Sequence, residues 1–256
     1  MNVTIWNEYH PSSKSGRVYK TYPDGIHVAL NQIFEGNEEL YNVTLVTQDE
    51  PENGLTDLVL NGTDVLIWWG HIWQDNVLSS VADKVCKRVL DGMGAIFLNS
   101  AYGSKPFVKL MGTSCKAKWR ETDEKERLWV VDPSHPILSG IPETFIIEPE
   151  TMIGEVFDIP TPDELLLLGW FPGGEVIRAG CTFKRGRGKI FYFQPGHETC
   201  PTYYNKNVKQ IILNAVAWAN PVGTVAVENY ITHEKDMPAE PVEVVKKSKL
   251  KSFFRR

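Results

Sequence analysis

Short unbroken runs of apolar and β-branched residues recur through the first hundred positions, at 3–6, 41–47, 64–69 and 95–98. Runs of this length without polar alternation suit strands buried on both faces of a parallel sheet. Between them the period lengthens. Residues 26–34 follow Asp24, a candidate N-cap, and residues 77–90 carry apolar side chains at near-helical spacing before Gly92. Strand and helix in alternation predict a doubly wound, mostly parallel α/β sheet.

The second half changes character. Residues 128–131, 145–157, 165–171 and 175–183 read as strands with few long helices between them, which predicts an antiparallel extension. Residues 184–189, rich in Arg and Gly, read as a hairpin turn returning into 190–193, a central strand, and residues 205–219 close the body as an amphipathic helix. No Gly/Ser-rich linker divides the chain before Ala219, so the reading is one α/β domain over residues 1–220. Residues 221–256 form a polar, Pro-containing tail ending in Lys246, Lys247, Lys249, Lys251, Arg255 and Arg256. Such a tail reads as a solvated extension, with Phe253 and Phe254 leaving docking on a partner as the alternative.

Composition narrows the classes. The chain has 256 residues, 42% hydrophobic and 23% charged, with a formal net charge of -5, which suits a globular protein and argues against nucleic acid as a partner. No run approaches the ~18 apolar residues of a membrane span, and residues 1–7 lack the basic and apolar regions of a signal peptide, so a cytoplasmic protein is expected. Cys86, Cys115, Cys181 and Cys200 show no Cys-x-x-Cys spacing and are expected to be reduced, small buried hydrophobes.

Ligands of an open parallel sheet bind at the carboxyl ends of its strands, so the residues following each run carry the chemistry. The first strand delivers Asn7 and Glu8. The third ends in Trp69 and delivers Gly70 and His71. The fourth runs into Asn99 and Ser100, and the 190–193 strand into Pro195, Gly196, His197 and Glu198. Ser100-Ala101-Tyr102-Gly103-Ser104 has the form of a nucleophile elbow, with Tyr102 at its centre. A phenol titrating near ~10 is a poor substitute for a thiolate, so glutamine hydrolysis is not expected.

His197 beside Glu198 suits general acid/base work, because imidazole titrates near neutral pH. The catalytic candidates are therefore His197, Glu198, His71, Glu8 and Tyr102. The substrate-binding candidates are Asn7, Trp69, Asn99, Ser100, Trp119, Arg120 and Tyr203, with Trp119 as a platform for a sugar ring and Arg120 as a fork of donors. His27, His71 and His197, with a carboxylate such as Glu8 or Glu198, form a candidate set for a divalent metal such as zinc. No His-x-x-x-His spacing accompanies them, and non-metal acid/base roles stay open beside that reading. His135, in a turn, and His233, in the tail, are not expected to take part. Phosphate-binding and dinucleotide fingerprints are missing, since Gly92, Gly94 and Gly103 stand at the wrong spacing.

Several long motifs in order resemble the ThuA family of trehalose utilisation: Trp6-Asn7-Glu8, Tyr22-Pro23-Asp24-Gly25-Ile26-His27, residues 64–71, residues 110–115 with Trp119-Arg120-Glu121, residues 126–133 and residues 186–201. The resemblance covers most of residues 1–221. It implies a flavodoxin-like, class I glutamine amidotransferase-like fold, a small-molecule sugar such as a disaccharide or keto-sugar as ligand, and a sugar oxidoreductase as partner. A homo-oligomer is compatible with it. The family usually carries His residues after the fourth strand, where this chain has Asn99 and Tyr102, so two readings stand: an enzyme using acid/base or metal-assisted chemistry, or a non-catalytic binding or accessory protein on the same fold.

Overall fold

The protein is described by a computed structural model over residues 1–221. Five strands form the parallel half of one sheet: β1 (Asn2–Asn7), β2 (Asn42–Thr47), β3 (Val65–Trp69), β4 (Gly94–Leu98) and β9 (Gly188–Phe193). The antiparallel extension is β5 (Lys118–Val130), β6 (Thr144–Gly154), β7 (Glu164–Trp170) and β8 (Val176–Arg185). All nine make one sheet in the order β2-β1-β3-β4-β9-β8-β7-β5-β6. The first five places follow the flavodoxin-like order, with β9 as the fifth strand, so the expected doubly wound sheet and its extension are both present.

Burial explains why the parallel runs are so apolar: every residue of β3 and β4 is buried. The helices are α1 (Gly16–Thr21), α2 (Ile26–Asn31), α3 (Asp57–Gly62), α4 (Ser79–Asp91), α5 (Lys105–Met111) and α6 (Lys206–Ala219). α6 buries Val208, Ile211, Ile212, Ala215, Val216 and Ala219, a single helical stripe, and Asn205 caps it by accepting from the Asn207 and Val208 amides. The helix expected over 26–34 stops at Asn31. A tighter 3-10 turn, Gln32–Phe34, then carries Ile33 and Phe34 into the core. The helix expected from residue 77 starts at Ser79, because Val77 and Leu78 are extended after a 3-10 turn.

The larger departure is β5, which starts ten residues before the predicted run. Its first half is polar because much of it faces solvent, so no apolar period announces it. The expected Arg/Gly turn shortens to Gly186 and Arg187 between β8 and β9, with Gly186 at φ +58°. No helix of the described residues is long and apolar enough to cross a membrane. The tail reading for 221–256, with His233, Phe253 and Phe254, falls outside the described residues apart from Pro221.

β4 and α6 meet where Gly94 opens the strand: a Cβ there would stand 2.4 Å from the Ala219 carbonyl oxygen. Gly94→Ala is expected to destabilise the fold by about 1–3 kcal/mol through overpacking. Urea denaturation checks this, with Gly62→Ala as a control, because a Cβ at Gly62 meets nothing within 4 Å.

Candidate active site

Two buried carboxylates hold the rim at the carboxyl ends of the parallel strands. Glu8, directly after β1, accepts the backbone N–H groups of His71 (2.8 Å), Ile72 (2.9 Å) and Trp73 (2.9 Å), fixing the loop that leaves β3. Glu150 of β6 accepts the amides of Gly196 (2.8 Å) and His197 (3.1 Å) and the Thr202 hydroxyl (2.6 Å), fixing the loop that leaves β9. Burial raises the Glu150 pKa against the opposing pull of these bonds. Glu126 of β5, also fully buried, is pushed well above the usual carboxylate range by burial and by the neighbouring Glu150.

His71 and His197 face each other from these loops, ring centroids 5.0 Å apart and nearly perpendicular. His71 Nδ1 lies 3.6 Å from Glu198 Oε1. Burial lowers the His71 pKa, but the Glu198 carboxylate, aided by Glu8 and Glu121, outweighs it and the net shift is upward. For His197, burial and then the His71 charge lower the pKa to about 4. Adjacent imidazoles with opposed shifts are the arrangement that separates an acid from a base. His197 Nδ1 lies 2.9 Å from Thr199 Oγ1, while His197 Nε2 and His71 Nδ1 are buried without a hydrogen-bond partner among the described residues.

Glu121 of β5 completes the group. Each of His71, Glu121 and His197 offers a ligand atom, all within 4.8 Å of one another. Two imidazoles and a carboxylate are a donor set used by catalytic zinc sites, which keep a further position open. The orphaned His197 Nε2 fits that use, since buried structural histidines are normally satisfied. Thr199, on the far nitrogen of His197, has the place of the outer partner that orients a ligating imidazole. Beside the group lies a cleft of about 300 Å³ lined by His71, Ser100, Tyr102, Trp119, Glu121 and His197 among others. A larger cavity, about 560 Å³, opens near Gly92 and Trp218 at the other end of the strands, and its described lining has no histidine or cysteine. The chemistry is concentrated in the smaller one.

The structure thus gathers His71, His197, Glu198, Ser100, Tyr102 and Trp119, and places other candidates elsewhere. His27 does not join the metal group: its Nδ1 accepts from Asn7 Nδ2 at 2.9 Å, and Glu121 occupies the third place. Asn7 spends its other amide atom on the Tyr9 N–H. Glu8 works through backbone amides, and Glu198 pairs with His71 rather than orienting its neighbour His197. Arg120 is tied to Glu124 and Glu175 at 2.7 Å each, outside the lining of the cleft. Trp69 and Tyr203 are buried and both donate to the Gly196 carbonyl, which makes them supports of the His197 loop.

The elbow also moves. Asn99, the first residue after β4, takes the left-handed conformation at φ +49°, while Tyr102 lies three residues on with its ring against Phe157. Asparagine tolerates this region better than most residues, and here its amide donates to the Gln194 carbonyl and its oxygen accepts from Ser100. Asn99 is a fully buried hinge for Ser100. Sequence reading missed Glu121, Glu126 and Glu150. The available signal for Glu126 was its position in phase with buried Leu128 on an alternating strand.

A family model described as ThuA, trehalose utilisation, matches residues 2–219. Among solved structures, a ThuA-like protein from Parabacteroides merdae is 14% identical, with a TM-score of 0.64 over 88% of this chain and 92% of that one. A cytoplasmic protein from Salmonella typhimurium is 13% identical, with a TM-score of 0.52 over 87% and 100%. A GMP synthase component from Thermoplasma acidophilum is 15% identical, with a TM-score of 0.51 over 85% and 92%. At such identities the likeness is one of fold, and the last extends it to the glutamine amidotransferase-like folds. No curated protein matches the sequence.

In the metal-free protein, NMR titration of the imidazoles should find His197 neutral down to about pH 4 and His71 titrating above 6.5. Two histidines titrating together near 6.5 would contradict the electrostatics described.

Proposed function

The chain belongs to the ThuA family of trehalose utilisation, and from that membership we propose that it is an enzyme acting on a disaccharide or keto-sugar through His71, Glu121 and His197. The observation carrying this reading is that His71, Glu121 and His197 bring ligand atoms within 4.8 Å of one another at the wall of a polar cleft, with His197 Nε2 buried and lacking a hydrogen-bond partner among the described residues. A purely structural site would satisfy that nitrogen.

His71, Glu121 and His197 would hold a divalent metal such as zinc, and the metal, when bound, supplies positive charge that polarises an oxygen or activates a water. The protein supplies the rest. Trp119, 63% exposed at the edge of the cleft, offers a flat face to a sugar ring. The Ser100 and Tyr102 hydroxyls line the wall across which the ring's own hydroxyls would lie. Burial keeps the Tyr102 phenol protonated, suited to donating a hydrogen bond or a proton. With His71 and His197 held as ligands, Glu198 beside His71 Nδ1 would orient that imidazole, and the Tyr102 phenol on the cleft wall is the group left to move a proton. Either removal of a proton next to a carbonyl or glycosidic cleavage can use these groups.

Glutamine hydrolysis is disfavoured by the same residues. The left-handed position after β4 holds a buried Asn99, and the Cys200 thiol in the loop after β9 is pushed up to about 12 by burial, far from a reactive thiolate. A sugar oxidoreductase is the partner this chemistry calls for, since a keto-sugar must come from oxidation of a sugar alcohol group. Placement in the cytoplasm accords with trehalose utilisation and is part of the proposal.

Zinc-supplemented protein incubated with trehalose and with its 3-keto form should turn over one of them. His197→Ala and Glu121→Ala should each lower kcat/KM by roughly 10²–10⁴-fold. No turnover of either sugar, with both variants indistinguishable from the parent, would overturn the enzyme reading in favour of a binding or accessory protein.

A further inference from the structure

The cleft has a neighbour. A second chamber, about 180 Å³, is lined by Arg17, Glu121, Thr122, Asp123, Thr151, His197 and Thr199, so Glu121, Thr151 and His197 form a wall common to both chambers. Their linings differ in kind. The main cleft offers Ile72, Tyr102, Trp119 and Ile153, apolar or aromatic surfaces on which a ring can stack. The described lining of the second has no aliphatic or aromatic side chain apart from the imidazole of the wall. It presents three threonine hydroxyls, two carboxylates and one guanidinium.

Arg17 reaches this chamber from α1 and meets Asp123 of β5, donating from Nη1 to Oδ2 at 2.9 Å and from Nη2 to Oδ1 at 2.6 Å. Their side chains are 47% and 56% exposed, a setting in which an ion pair adds little to stability. The two-point pairing nevertheless holds both groups in fixed orientation at the chamber. A guanidinium has five N–H donors, so donors remain beyond the two in this pairing. The charge also selects. Asp123 neutralises Arg17, which removes the unpaired cation that an anionic ligand would seek and leaves donors and acceptors interleaved for a neutral polyol.

We propose that the Arg17–Asp123 chamber is a second sugar subsite, taking a neutral pyranose ring by edge-on hydrogen bonds while the first ring lies in the main cleft. The linkage between the rings then crosses the Glu121–His197 wall, where the reactive groups are. This rests on the sugar reading of the cleft and narrows it to two-ring, uncharged substrates.

The test is calorimetric, on the full chain in metal-free buffer, with trehalose, glucose and trehalose 6-phosphate as titrants against the parent, Arg17→Met and Asp123→Asn. Parent protein should bind trehalose more tightly than glucose and the phosphate ester no more tightly than trehalose. Either variant should raise the trehalose Kd about tenfold with the glucose Kd within twofold, and Arg17→Lys should restore part of the loss. Circular dichroism melting of each variant separates loss of binding from loss of fold. Equal changes for both sugars, no change for either, or tighter binding of the phosphate ester would overturn the subsite. If the parent binds neither trehalose nor glucose, the sugar reading of the whole cleft falls, a result distinct from a subsite failure in which the parent still binds sugar.

Discussion

The backbone amides of the two histidine loops end on buried carboxylates, and the site depends on that constraint. Where β3 and β9 stop, their chains leave the sheet ladder with N–H groups that must still be satisfied. Glu8 takes three of them around His71, and Glu150 takes two around His197. Charge-assisted bonds of this kind are stronger than neutral ones. They fix the loops through the main chain, so the imidazoles are positioned while His197 Nε2 has no hydrogen-bond partner among the described residues.

The same carboxylates shape the electrostatics. Glu8 adds to the pull of Glu198 that raises the His71 pKa, while burial and then the His71 charge lower that of His197. Glu126 and Glu150 are both fully buried in the sheet, and burial raises the pKa of each, with Glu150 adding to the rise at Glu126.

The parallel half of the fold was legible in the sequence because burial on both faces writes a strand as an unbroken apolar run, and β1, β3, β4 and β9 all do so. The rim residues His71, Ser100 and His197 followed from the strand ends. β5 was legible only where it enters the core at Leu128. Its outer half, Lys-Trp-Arg-Glu-Thr-Asp-Glu, carries charge on most positions, which hid both the strand and Glu121 within it. The turn after β4 was misplaced for another reason: its left-handed residue is the first beyond the strand, whereas a pattern of small residues pointed three positions later. Pairings such as Glu198 with His71, and the exclusion of His27, depend on side-chain directions that spacing does not encode.

The most direct measurement is an anomalous difference map at the zinc absorption edge, from crystals of the protein grown with zinc. The expected result is one strong peak between His71, Glu121 and His197, with ligand atoms at roughly 2.0–2.2 Å, and His27 still bonded to Asn7. A peak held by other residues, or no peak with the three side chains unliganded, would contradict it.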